Sequence, residues 1–201
     1  ALLGAAASRL SARRRRNLQQ QRGAHVCTRA QSEVSEIDFR VGQIVSCEAH
    51  PDSDKLLVEM IDVGEGEPRQ ICSGIAKWFS PDEVAGRRCV VVANLKARKI
   101  GGVASNGMLL CASTKDGEEL TALDIVTPPE GAAVGERVSI EDPEGEMGDA
   151  APPNRVQKKK LYEKVAPHLK TDGDGQVCYK DSAFSTSAGA CTATLKSAVV
   201  S

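Results

Sequence analysis

Residues 38–75 read DFRVGQIVSCEAHPDSDKLLVEMIDVGEGEPRQICSGI. Phe39, Val41, Ile44 and Val45 predict a strand with a bend at Gly42. His50-Pro51-Asp52-Ser53-Asp54 has the chemistry of a loop, because Pro fixes φ and Asp and Ser bond to nearby backbone N–H groups. Residues 56–63 predict a second strand, Gly64-Glu65-Gly66-Glu67-Pro68 a turn, and residues 69–75 a third strand. Strands joined by short turns form an antiparallel series, as in a small barrel.

Outward from this block the pattern repeats. Ser80, Pro81 and Glu83 carry the signature of a capped short helix. Trp78, just before it, reads as a core or lid residue rather than a ligand contact. Residues 88–95 are a strongly apolar strand, Cys89-Val90-Val91-Val92-Ala93 at its centre. Residues 108–111 and 120–126 predict two more strands, and residues 134–138 a closing turn and strand. Many short strands with Gly and Pro punctuation and little helix predict a mainly β fold. They favour a closed architecture such as an OB-fold, a five-stranded barrel. Residues 36–140 would form it, and residues 141–153 (EDPEGEMGDAAPP) read as a linker.

Residues 154–201 predict a small α+β carboxyl-terminal extension. Asn154 stands as N-cap with Gln157 at the third position, Leu161, Tyr162 and Val165 share one face, and Pro167 ends the helix. The Lys158-Lys159-Lys160 run opposes the helix dipole, so helix stability does not account for it. Residues 176–195 predict two further strands.

Charge is segregated along the chain. Residues 84–115 hold six basic residues, Arg87, Arg88, Lys96, Arg98, Lys99 and Lys115, and no acidic one, while both flanks are strongly acidic. Within this island lies NLKARKIGGVASNGMLLCAS (94–113), where three cations precede a turn-prone run. A cationic island in an acidic chain points to a docking surface for phosphate, with a solvated strand face as the bland alternative. Residues 1–30 carry seven Arg and no acid and are rich in Ala and Ser. That composition predicts a chloroplast or mitochondrial transit peptide, with a disordered basic arm as the alternative. The chain opens on Ala, so an upstream domain remains compatible with the sequence.

Several chemistries find no support. Seven scattered Cys, none in C-x-x-C spacing, read as reduced and buried, and three isolated His suggest no zinc site. There is no phosphate loop, nucleophile elbow, dinucleotide fingerprint or apolar run long enough to span a membrane. Catalysis and a cofactor are not expected. Binding remains. Aromatics are sparse and the cationic stretch has none, so base-stacking capture of single strands fits poorly. Recognition of folded RNA through phosphate and sugar fits better. Lys96, Arg98 and Lys99 would supply charge. Ser105, Asn106 and the backbone at Gly101, Gly102 and Gly107 would donate hydrogen bonds, although a plain hairpin turn explains residues 105–107 equally well.

Residues 38–75, VVVANLKARKIGGVASNGMLLCAS (90–113) and PPEGAAVGERV (128–138) together closely resemble the tRNA-binding domain family. The likeness covers residues 37–140. It implies an OB fold and a non-catalytic role in binding tRNA, as in free bacterial tRNA-binding proteins and synthetase appendages. NRVQKKKLYEKVAPHLKTDGDGQVCYK (154–180) with ACTATLK (190–196) resembles the extension of the endothelial-monocyte-activating-polypeptide type, while SAVVS (197–201) departs from it. In that type the extension covers a dimerising surface, which implies a monomer. Carried onto this chain, the family's tRNA-contacting motif falls on Lys96, Arg98, Ser105, Asn106 and Met108. Charge adds Lys55, Lys77 and Lys99, with Lys158, Lys159 and Lys160 as a further RNA contact. The resemblance implies an auxiliary factor that delivers tRNA to an aminoacyl-tRNA synthetase. A truncated appendage of a methionyl- or tyrosyl-tRNA synthetase and a cytokine-like protein-interaction module remain the alternatives, and a cytoplasmic location is the alternative to an organelle.

Overall fold

The computed structural model describes residues 32–140 and 147–201. The transit-type segment 1–30 and residues 141–146 of the expected linker lie outside them.

The spine is β1 (Phe39–Ala49), which pairs antiparallel with β2 (Leu57–Asp62), itself paired with β3 (Arg69–Ser73). The short helix α1 (Pro81–Val84) follows, then β4 (Arg88–Val92) along the other side of β1. A separate hairpin, β5 (Arg98–Ile100) with β6 (Val103–Ser105), leads to β7 (Met108–Leu109), which pairs with β4. Next come β8 (Cys111–Asp116) and its hairpin partner β9 (Glu119–Ile125). The single strand expected at 108–111 is split at Leu110. There the Leu110 N–H donates to Val90 O at 2.9 Å, the Val126 N–H to Leu110 O at 3.0 Å, and the Val90 N–H to Val126 O at 3.1 Å. Three strands meet at that point and bring the barrel close to closure.

The bend in β1 differs from the expected one. The register slips between Ile44 and Ser46, a bulge that turns Val45 outward to 57% exposure. Gly42 serves close approach instead, since a Cβ there would lie 2.8 Å from Ile61 Cγ2. The Ser80 prediction matches: Glu83 Oε2 accepts from both the Ser80 N–H (2.8 Å) and its hydroxyl (2.7 Å).

Two cores explain why β4 is apolar throughout. Cys89 and Val91 face the barrel interior with Ile44, Ile61, Leu109 and Ile125. Val90 and Val92 face outward, into a second core with Phe39, Leu110, Leu161 and Phe184. A strand buried on both faces has no solvent side to mark with polar residues. Phe39 and Phe184 meet edge to face, centroids 4.8 Å apart, one from the barrel and one from the extension. Full burial of each such ring contributes about 2–3 kcal/mol.

The extension runs β10 (Ser139–Ile140), α2 (Pro153–Lys159), α3 (Leu161–Val165), β11 (Leu169–Thr171), β12 (Val177–Tyr179), β13 (Ser182–Thr186), β14 (Gly189–Ala190) and β15 (Val199–Val200). The helix opens on Pro153 with Pro152 as cap, so Asn154 is its second residue and not its cap. One continuous helix was expected; Lys160 breaks it with φ 51°. Val156 and Leu161 are both buried, yet five residues apart on an unbroken helix they would point about 140° apart. The left-handed residue resets the face so that both reach the core. Residues 191–195 form isolated bridges through Thr192, not a strand. SAVVS integrates fully: β15 pairs with β11 through Lys170 and with β8 through Ala112 and Ser113. Barrel and extension therefore share one sheet, in the order β10-β13-β12-β11-β15-β8-β9.

Candidate nucleic-acid interface

The cationic stretch lies along the seam where the barrel closes between β3 and β7. The Asn106 N–H donates to Gln70 O at 2.9 Å, and the Gln70 side chain donates to Ala104 O at 2.8 Å. The Cys72 N–H donates to Ser105 Oγ at 3.1 Å, and that hydroxyl donates to Gly107 O at 3.1 Å. Ser105 is 1% exposed. Its hydroxyl thus positions the seam, in place of the surface contact expected of it. The hairpin turn is Gly101-Gly102, both with positive φ, and residues 105–107 return the chain to the barrel. His50 supports the turn from below: its Nε2 lies 3.3 Å from Ile100 O, and a Cβ on Gly101 would meet that ring at 2.7 Å.

The base of the stretch is fixed by two side chains. Asn94 accepts from the Asp38 N–H and donates to the carbonyls of Glu36 and Ala151, each at 2.9 Å. Arg69 binds the Glu65 carboxylate through two nitrogens, at 2.6 Å each, and donates to Ala93 O and Asn106 O at 2.5 and 3.1 Å. The guanidinium holds the Glu65 carboxyl below the usual range.

Between these anchors Lys96, Arg98 and Lys99 are exposed. Among the described residues they form no ion pair, whereas Arg40, Arg69, Arg87, Arg137 and Arg155 each face a carboxylate. Lys96 and Arg98 are brought together with half-buried Met108. Strand alternation turns Lys99 to the opposite side of the hairpin from Arg98 and Ile100. Asn106 is half-buried at the seam. Lys55 sits exposed in the loop before β2, and Lys77 lies 3.9 Å from Glu119 and 5.0 Å above the half-buried Trp78 ring. Lys158, Lys159 and Lys160 are exposed on the helix that borders Lys96 and Arg98. The Glu36 carboxyl is held below its ordinary range by its hydrogen bond to Arg155 first, and more weakly by the charges of Lys159 and Lys164.

Arg98 and Met108 form a ridge between two grooves. One, about 340 Å³, runs from Leu95 and Lys96 across to Val156, Gln157 and Tyr162 of the extension. The other, about 450 Å³, lies toward Ser73, Ile75, Lys115 and Leu123. Lys115, counted in the charged island but not as a site residue, thereby joins Arg98. Gln157 and Tyr162 were also missed, because only the docking of α2 and α3 brings them to the seam. Asn94 and Arg69 carried no sequence signal, since their partners are remote in the chain. No group of three His, Cys, Asp or Glu among the described residues is placed to hold a metal. No helix among them is long and apolar enough to cross a membrane.

A nearly closed small barrel with unpaired cations along its seam defines a nucleic-acid-binding protein of the OB class. Residues 39–137 match the family described as "Putative tRNA binding domain". The chain belongs to this tRNA-binding domain family. The cytoplasmic methionine–tRNA ligase of Arabidopsis thaliana is 42% identical over 158 residues, 79% of this chain and 19% of that one. Aminoacyl tRNA synthase complex-interacting multifunctional protein 1 of Cricetulus griseus is 36% identical over 152 residues, 76% of this chain and 40% of that one. The chain thus spans less than half the length of either relative. The crystal structure of the C-terminal domain of Plasmodium vivax p43 is 31% identical with a TM-score of 0.74, covering 84% of this chain and 98% of that one.

Proposed function

We propose that this protein binds folded tRNA without catalysing a reaction, gripping phosphate and sugar through the seam at Lys96, Arg98, Asn106 and Met108. The observation that carries this reading is the set of unpaired, exposed cations held on a rigid seam by Arg69 and Asn94. Fixed cations release condensed counterions from RNA and give affinity without base readout. Lys99, Lys115, Lys55 and Lys77, with Lys158, Lys159 and Lys160, extend the field around that centre. Ser105 serves by holding the seam in shape.

The relatives named as a tRNA ligase and as a synthetase-complex protein support a partnership with an aminoacyl-tRNA synthetase. In it, bound tRNA is raised in effective concentration near the enzyme. The extension covers the outer face of β4, which supports a monomer. The composition of residues 1–30 supports action in a chloroplast or mitochondrion. A second reading, an appendage of a longer synthetase, is favoured by the match to only 19% of the methionine–tRNA ligase.

The test is a salt series of binding to bulk folded tRNA. Lys96→Ala combined with Arg98→Ala is expected to weaken all tRNAs alike and to lower the salt slope by about two. Unchanged affinity and slope in the folded double variant would sink the assigned surface.

A further inference from the structure

The groove between the seam and the extension has features that phosphate contact does not use. Its barrel wall is Leu95, Lys96, Arg98 and Met108, and its far wall is Gln157 and Tyr162 with Val156 beneath and Glu163 beside them. The Tyr162 hydroxyl is buried and has no hydrogen-bond partner among the described residues. Burial pushes its pKa up, so it is a neutral O–H group. That oxygen is closed off from the groove, so Tyr162 presents its ring there, beside Leu95 and Met108. The Gln157 amide is exposed and offers both a donor and an acceptor.

The charges are asymmetric across the groove. Lys96 and Arg98 stand on the barrel side, Glu163 on the extension side. Lys96 and Arg98 draw a phosphate to the barrel rim, while Lys158, Lys159 and Lys160 of the extension stand outside the groove's lining. Inside, Leu95, Met108 and the Tyr162 ring form an apolar surface with the Gln157 amide at its edge, which suits a flat neutral group with hydrogen-bonding atoms. The volume, about 340 Å³, lies at the small end of ligand pockets, roughly 300–1,000 Å³.

We propose that this groove takes one unpaired nucleotide of the bound tRNA. Its phosphate sits on Lys96 and Arg98. Its base lies against Met108 and the Tyr162 ring, with its edge toward the Gln157 amide. The inference rests on the tRNA-binding reading and adds to it a base-contacting pocket that exists only because the extension docks beside the seam. Shape recognition then includes a demand that one nucleotide of the RNA be free to leave its stack.

The experiment is chemical probing of unpaired bases in bulk folded tRNA, with and without the full chain, combined with affinity across a salt series. Gln157→Trp fills the groove from an exposed position and removes no charge. The wild-type protein is expected to protect an unpaired base. Q157W should lose that protection and bind roughly tenfold more weakly with the salt slope unchanged. Tyr162→Phe, which removes only the closed-off hydroxyl and keeps the ring, should leave binding and protection unchanged. Wild-type affinity and protection in Q157W would overturn the pocket, and the phosphate surface would still stand if Lys96→Ala with Arg98→Ala flattens the slope. Failure of that double variant to change binding would overturn the tRNA-binding surface and the pocket together.

Discussion

Two halves of one basic island behave in opposite ways. Arg87 lies 3.5 Å from the Asp124 carboxylate and its guanidinium sits 5.2 Å from the centre of the Phe79 ring, while Arg88 donates to the carbonyls of Glu130 and Ala132. These cations are built into the fold. Lys96, Arg98 and Lys99, a few residues on, are exposed without an ion pair among the described residues. Identical charge in sequence therefore divides by what the fold places opposite it. Cations that meet carboxylates or carbonyls hold the barrel together, and cations left facing solvent on a rigid seam are available to a polyanion.

Arg69 is the residue at which this division can be broken most forcefully, because it belongs to the first kind yet holds the second in position. Arg69→Ala removes the donor from two carbonyls and leaves the exposed Glu65 carboxylate to Arg40 and water, and is expected to cost about 2 kcal/mol in urea unfolding. It should also lower tRNA affinity, although Arg69 is not on the exposed rim. An R69A protein with wild-type stability and affinity would show that the hairpin holds its own geometry.

Glu59 sharpens the contrast from the acidic side, as a carboxyl inside the barrel that faces no cation among the described residues. It is fully buried, its Oε1 accepts from the Ser73 hydroxyl, and its Oε2 has no partner among the described residues. Burial raises its pKa from 4.5 to about 7. The folded protein therefore keeps a proton that the unfolded chain loses first. Stability from this group is full below pH 4.5, falls as pH rises toward about 7, and is constant above that. The loss amounts to about 3 kcal/mol. Glu59→Gln should abolish that slope in melts run from pH 4.5 to 8, and a slope that persists in E59Q would assign the pH dependence elsewhere.

The smallest effects come from paired single changes. Arg87→Gln should lower stability by up to about 1 kcal/mol and leave tRNA affinity within about twofold. Lys96→Gln should do the reverse, with an unchanged melting temperature and weaker tRNA binding. Equal effects of the two on binding would erase the distinction drawn between them.

Strands β1 to β4, β9 and the Ser80–Glu83 cap were legible because each depends on neighbours in sequence, whereas the hairpin read at residues 105–107 turns at Gly101-Gly102 and the strand read at residues 134–138 forms only at Ser139–Ile140. What escaped depends on distance. The Val45 bulge and the break at Lys160 answer to which residues must face a core that the local pattern does not describe. Ser105 looked like a surface donor because nothing nearby in sequence reveals Cys72 as its partner. Asn94, in a loop-like context, is buried at the point where the amino-terminal segment, the end of β4 and the start of the extension meet. The cationic site was readable as charge, but its separation into free and committed members was not.

The two-residue strand β15 has a consequence for how the protein meets other chains. Val199 pairs with Lys170 on one side and with Ser113 on the other, so the same short segment satisfies β8 and β11 together. Were it displaced, two unpaired strand edges would open at once, each a template for a foreign strand. Small side chains, Ser197 and Ala198 before the two valines, let it slip between its neighbours. A few residues with little to distinguish them in the sequence thus protect the sheet from β-mediated self-association.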